Sequence, residues 1–543
     1  MLFRRLLNEN KKGQALILSY TIVVVFVIIS VSLFAKAVSE KNIAQRNRLT
    51  QEAFYLAEGA TENAMASFAS AIANYQVAAD IANYNVNTTF STFGNTVVNS
   101  QIRRLEDSDR LILEGATNVL VRNYEFVSTA MHPENNTIIV TLHQIVARRL
   151  IPAFQYMIFY NDDLEILPGP VMTLSGRIHS NKDIYVDSNS TLTIDSLYFR
   201  SAGDIFNQRK DSPTPSPGDV AIRVNKPGAP QYQNMNNLDS DSPNWTDEAI
   251  NRWQGTVKSS VHGVTKLTAP SVASIQPAGY YRSWADVAIS NGALTKNGIP
   301  LTEGVDYPVG TITTNTSAYN NREGKFIKMT NVDLKKLAGY VPNDPPGTPS
   351  FSNNLPANGL LYATRDDAGA GLEPGIRLLN GSEIHRNGGL TVVSNDPVYI
   401  LGDYNTVNEK PTSVIGDSLN LLSNNWKDVN STQVLGSRAA KETTVNCAFI
   451  AGIDTTTAGN YNGGLENYPR FHENWTGIRL NIKGSFVALW NSIIATGAWV
   501  YGSRQYTAPN RSWQYNTDFN NPAKLPPFTP WAVEMQRVAW WEE

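Results

Sequence analysis

A serine in a tight Gly-Asp-Ser-Leu turn, as at Gly416-Asp417-Ser418-Leu419, can act as a nucleophile only if a nearby imidazole takes its proton and a carboxylate orients that imidazole. The chain has six histidines, and the residues three before them are Thr129, Val140, Gly176, Ser259, Ser382 and Pro469. None is an aspartate, so no Asp-x-x-His pair exists to activate Ser418, which reads as a turn residue. His179 and His385 occur in a local echo, Ile178-His179-Ser180-Asn181 and Ile384-His385-Arg386-Asn387, about 206 residues apart. Two imidazoles could bind a metal, but equivalent places in a repeat favour a structural role, each ring bonding a turn carbonyl within its rung. Asp239, Asp241 and Asp247, or Asp366 and Asp367, offer oxygen donors for calcium in a surface loop, yet neither set has EF-hand spacing. Structural calcium is thus the one ion left open, and no other metal or cofactor is expected. The single cysteine, Cys447, excludes an internal disulfide and any zinc site built from several cysteines; its apolar surroundings, CAFIAGI, suit a buried thiol.

Hydrolysis of polysaccharide would need paired carboxylates in a groove, and no such pair can be located from the residue order. Seven of the eleven tryptophans lie at Trp475, Trp490, Trp499, Trp513, Trp531, Trp540 and Trp541. Exposed, they would stack on sugars; buried, they would seal an end or flank of a β-stack, which is the reading preferred. A formal net charge of -3, with no basic cluster interleaved by aromatics, argues against a nucleic-acid partner.

The firmest element lies at the N-terminus. Ala15 to Ala35 carries no charged side chain, and at about 1.5 Å per residue it spans a bilayer core of roughly 30 Å. Arg4, Arg5, Lys11 and Lys12 precede it, which keeps the N-terminus cytoplasmic and places the chain beyond Lys36 outside. A cleaved signal peptide is the rival reading, but its apolar region is shorter, and here an amphipathic pattern continues. Leu49, Ala53, Leu56, Ala60 and Ala64 recur at spacings of three and four, mostly apart from Arg46, Arg48, Glu52, Glu58 and Glu62. No proline occurs before Pro133, so one helix is expected to run to about residue 75.

Three local features, the basic leader ending in Lys11-Lys12-Gly13, the apolar run QALILSYTIVVV and the segment QEAFYLAEGATENAMASF, resemble the N-terminal region of PilX-type minor pilins. The match covers roughly residues 1–75. It implies cleavage by a prepilin peptidase after Gly13, leaving Gln14 as the new N-terminus, often methylated. It also implies an assembly helix carrying Leu18, Phe54, Leu56 and Ala57 that packs on other pilin subunits. Most major pilins have glutamate at the fifth position after the cut; Leu18 stands there, which removes a charge-pairing device and favours a minor, tip-proximal subunit over a bulk one. The implied route is from the inner membrane as precursor to a pilus at the cell surface.

Beyond the helix, 76–152 is expected to be a small α+β region, 153–205 a first β-helix-like segment, 206–350 a loop-rich insertion, and 351–543 a second β-helix-like segment with a Trp-rich end. Short apolar runs such as LTVVS, VYILGDY and NCAFIAGI, broken by turn residues, suggest stacked rungs; a β-sandwich is the alternative. Within the insertion, Ser242 is expected to cap a short helix opening at Pro243 and reaching about Gln254. The fold class is therefore α+β, mainly β. The function expected is a non-enzymatic, pilin-like subunit whose large head meets surface glycans or proteins or completes a pilus tip. The alternatives are an anchored polysaccharide-active enzyme and an envelope scaffold that never enters a filament.

Overall fold

A computed structural model describes residues 2–114, 117–214, 216–457 and 459–543, with side chains from residue 13 onward. Helix α1 runs without interruption from Leu2 to Ala73, about 108 Å at the standard rise. It stops in a Schellman-type turn: Gln76 N–H donates to Ala71 O at 2.8 Å, Tyr75 N–H to Ile72 O at 3.1 Å, and Tyr75 takes a left-handed φ of 58°. That position usually needs glycine. Here the Tyr75 ring is stacked on Tyr280 at 3.6 Å, a packing gain that helps offset the strained backbone.

From Leu49 onward one face of α1 lies on an antiparallel sheet made of β1 (Asn83–Phe90), β2 (Thr96–Arg104), β3 (Arg110–Glu114), β4 (Thr117–His132), β5 (Asn135–Pro152) and the distant strand Trp531–Glu542. The order is β1-β2-β4-β5-(531–542), with β3 paired to β4. Ala53, Ala57, Ala60 and Ala64 are fully buried, and their small side chains let the helix sit close to the strands. Phe68 is the large anchor, with Tyr124, Tyr84 and Phe126 ring centroids 5.0, 5.5 and 5.9 Å away. The segment 76–152 thus supplies strands, and the helix of this α+β unit is α1 itself.

The rest of the body is built mainly on parallel ladders of short strands. Ile158–Tyr160, Ile178–Ser180, Phe199–Ser201 and Val257–Lys258 pair in register, with the first three about 20 residues apart. Two further rows run through Leu164, Ile184 and Ile205 and through Met172, Leu192 and Val220. A second set begins at Val287–Ser290 and Lys325–Asp333 and continues through 360–364, 390–393, 412–416, 443–451 and 479–488 on one face, and 372–379, 398–401, 419–422 and 469–471 on another. The two sets meet where Phe486 pairs with Ile158. One row therefore runs Val257, Phe199, Ile178, Ile158, Phe486, Phe449, Val414, Val392, Leu361, Val287, each no more than 2% exposed. Each strand is too short to bury its own face, and stacking supplies the missing contacts.

Four local expectations need correction. The segment 206–350 is not only loops: 219–223 and 257–258 extend the first rows, and 287–290 and 325–333 open the second. The short helix is Trp245–Trp253 with Asn244 at its cap position; Ser242 instead forms a turn, accepting Asp239 N–H at 3.1 Å and, through its carbonyl, Trp245 N–H at 3.0 Å. The two histidines are not equivalent. His179 lies inside a strand of the main row, bonded to the Asn181 side chain at 3.0 Å, whereas His385 sits in the turn before 390–393, 4.5 Å from the Tyr340 ring. Finally, the tryptophans divide. Trp475 and Trp513 are buried, the latter stacked on Phe486 at 4.8 Å, but Trp531, Trp540 and Trp541 leave the stack for the sheet on α1.

Candidate functional site: the uncovered length of helix α1

Every residue from Gly13 to Arg48 is exposed, and from Leu49 the same helix is buried on one face. Leu16 and Phe34 are each 73% exposed and Phe26 65%, so the apolar run contributes nothing to the core of this chain. Among the described residues, this is the helix long and apolar enough to cross a membrane. Two of its hydroxyls are satisfied within the helix, Ser19 Oγ donating to Ala15 O at 2.9 Å and Thr21 Oγ1 to Ile17 O at 2.8 Å, which suits a low-dielectric surrounding. The charges return only at Lys36 and Glu40, 3.8 Å apart. Arginine in place of Val24, near the middle of the uncharged run, should cost insertion about 3 kcal/mol. Fractionation of cells after alkaline extraction should show that variant shifted out of the integral membrane pool.

Gly13, Gln14 and Leu18 all lie on this uncovered length, Leu18 64% exposed. The other three expected assembly residues do not share it. Leu56 and Ala57 pack under Val98, Ala130 and Leu142, with Phe54 half-buried beside them and 6.3 Å from Trp540. They hold the chain's own sheet, because the small-residue stripe that would suit a neighbouring helix is already filled by β2, β4 and β5. Polar contacts lock that docking. Thr61 Oγ1 donates to Ser128 Oγ at 2.8 Å, which is 2.7 Å from Ser100 Oγ, a buried hydroxyl chain from helix to β4 and β2. His132, also buried, accepts Glu134 N–H at Nδ1, which leaves Nε2 to donate to Glu52 at 2.8 Å. The helix and its sheet are thereby one rigid piece, with a bare rod projecting from it.

The residues weighed for catalysis are enclosed. Ser418 is 1% exposed with its hydroxyl 3.2 Å from Asn420 Nδ2. Asp417 accepts the backbone N–H groups of Ile493, Ile494 and Ala495 at 2.6, 3.1 and 2.8 Å, so the motif pins a neighbouring loop. Cys447 is buried and its thiol is pushed far up by that burial. Asp239 accepts the N–H groups of Asn207 and Asp241, and Asp367 pairs with Arg365 and Lys328.

What residue order did not reveal is a set of buried carboxyls in the ladders, Glu165 and Glu373 within strands and Asp396, Glu466 and Glu473 in the connections between them. Burial pushes Glu165, Glu373, Asp396, Glu466 and Glu473 up to about 7. Each keeps a hydrogen-bond donor: Thr456, Tyr399 and Asn320, Arg365 N–H, Leu167 N–H and Ser423 respectively. Glu165 borders a cavity of about 20 Å³, room for a water and not for a sugar. Between about pH 4.5 and 7 the folded chain holds protons on these carboxyls that the unfolded chain releases, so their contribution to stability falls as pH rises through that window. His179, pushed down to about 4, and His472, down to about 3, both by burial, act oppositely and lose stability as pH falls below about 6.5. Five groups outweigh two, so the melting temperature should be lower at pH 7.5 than at pH 5.5, a comparison calorimetry can make.

No protein-family model matches the sequence, and no curated protein matches it. Among solved structures, the crystal structure of the competence-associated pilin ComZ from Thermus thermophilus aligns over 91% of this chain and 97% of its own, at 10% identity and a TM-score of 0.24. At that score the two backbones do not superpose as one fold.

Proposed function

We propose that this chain is a pilin-like subunit, anchored in the inner membrane by residues 14–35, with a large head outside the cell that adheres to a surface or completes a filament tip. The observation that carries the reading is the division of α1: residues 13–48 are bare on all sides, while 49–73 are built into the head. A helix that is apolar all round and uncovered needs lipid or other helices as its solvent. One continuous rod can take first the one and then the other, which is what transfer from membrane to filament demands. Leu18, in place of a carboxylate, supports a minor, tip-proximal place, where no partner amine below need be paired.

The in-register parallel rows, with buried apolar side chains at each step, support reading the body as two β-helical segments joined at the Phe486–Ile158 pairing. Such a stack is a rigid presenter of turns, suited to binding, and we assign it a binding role without catalysis. Mass spectrometry of the protein from cell envelopes tests the reading. Processing by a prepilin peptidase predicts a chain beginning at Gln14. A chain retaining Met1, or cut elsewhere, would contradict it and favour an envelope scaffold.

A further inference from the structure

A cleft of about 550 Å³ opens where the turns before strands 178–180 and 199–201 face Tyr515 and Asn520 from the C-terminal region and Glu114 at the end of β3. Its distinguishing feature is cationic. The Arg200 side chain makes no hydrogen bond or ion pair with any described residue, and its Nε is sealed from solvent without a partner. It is held only by the Tyr198 ring, 4.2 Å from the guanidinium carbon. Arg177 lies over the same ring at 4.0 Å and over Tyr156 at 4.7 Å. Its terminal nitrogens reach Thr117 and the Tyr156 hydroxyl, but its Nε too is buried and unpartnered. Lys258 stands beside Arg200 in register, on the same face of the ladder.

The carboxylates at hand are already engaged, Asp195 with Arg223 at 3.0 Å and Glu114 with Arg149 at 2.5 Å. Two guanidiniums sharing one ring, with no carboxylate of their own, are an unbalanced arrangement for the empty protein, because a partly desolvated charge is costly until paired. An anion that enters the cleft would complete it. The remaining wall suits a small polyhydroxylated ring. Leu197, 46% exposed, provides an apolar surface beside Tyr198, while Asn225, Thr517 and Asn520 offer amide and hydroxyl groups. Gly176, at φ +87°, brings its backbone so close to the Tyr515 ring that an added Cβ would lie 2.8 Å from it.

We propose that this cleft binds an acidic sugar, its carboxylate paired with Arg200 and assisted by Arg177, its ring lying against Leu197 and its hydroxyls meeting the amides. A nucleic acid is disfavoured, because phosphate tracking needs a basic stripe along the surface, whereas these cations converge on one pocket of a chain whose net charge is -3. The proposal deepens the binding role assigned to the head and rests on it only for where the sugar is met; binding itself does not require processing at Gly13.

Titration calorimetry on the full chain in detergent tests it, with cellobiouronic acid, neutral cellobiose, sodium sulfate and a single-stranded oligonucleotide as probes. Cellobiouronic acid is expected to bind at least tenfold more tightly than cellobiose or sulfate, and Arg200→Gln should lose at least tenfold. Leu197→Trp, at the exposed mouth, should block the same binding while leaving the melting temperature unchanged, which keeps the test valid should Arg200→Gln fold poorly. Equal binding of cellobiose, equal binding of sulfate, tighter binding of the oligonucleotide, or undiminished binding by either variant would each overturn the proposal. A chain that begins at Met1 yet binds cellobiouronic acid would separate failure of the pilin reading from failure of this one.

Discussion

Alanine at Gly484 is expected to destabilise the body by about 3 kcal/mol, the upper end of the usual range for overpacking. Gly484 pairs with Cys447 in the ladder between 479–488 and 443–451. A Cβ there would sit 1.8 Å from the Cys447 carbonyl oxygen and 2.6 Å from its carbonyl carbon. Those are backbone atoms, which cannot swing aside as a side chain would, so the strands must part. The same strand carries the Phe486–Ile158 pairing that joins the two sets of rows. Thermal unfolding should therefore begin earlier, and limited proteolysis should cut near the joint. Gly436→Ala, where an added Cβ meets nothing within 4 Å, should behave as the parent does. Parent-like melting of Gly484→Ala would mean the ladder is not closed at this point.

A second large effect is expected from Phe68→Ala, which should cost about 3–5 kcal/mol. Phe68 is fully buried in a cluster with Ile102, Tyr124, Phe126, Val146 and Leu150, separate from the large core beneath the parallel rows. Losing it leaves a cavity between α1 and the antiparallel sheet and little to fill it. The consequence should be local: faster proteolysis within residues 49–73, with the parallel rows still protected. If both regions became sensitive together, the two cores would have to be one cooperative unit.

The long helix was legible because its signals are local and redundant: an uncharged run, spacings of three and four, and no proline before residue 133. The structure ends it at Ala73, within two residues of expectation. The strand-rich body was legible as a class, since short apolar runs between turn residues permit little else. Partners were not. Nothing around residue 531 says that Trp531–Glu542 will cross back to pair with β5, almost four hundred residues earlier, because strand periodicity fixes which face is buried and not which neighbour covers it. The same limit hid the joint at Phe486 and Ile158. His179 and His385 misled because four similar residues need not occupy similar places: one tetrapeptide is strand and the other turn. The resemblance to minor pilins implies an assembly role for Leu56 and Ala57, and the pattern itself could not correct it. An apolar helical stripe shows that something packs there, but not whether that something is another subunit or the chain's own sheet. The cleft around Arg200 gave no signal at all, since an arginine lacking a carboxylate partner is a property of the fold.

The claim that residues 14–48 form the assembly surface, while 49–73 belong to the head, can be tested with one crosslinking measurement. A photoreactive phenylalanine analogue would replace Phe34 in one variant and Phe68 in another, and sheared surface filaments would be irradiated. Phe34, 73% exposed, should yield covalent products with other subunits, and Phe68, fully buried, only products within its own chain. Crosslinks between subunits from position 68, or none from position 34, would contradict it.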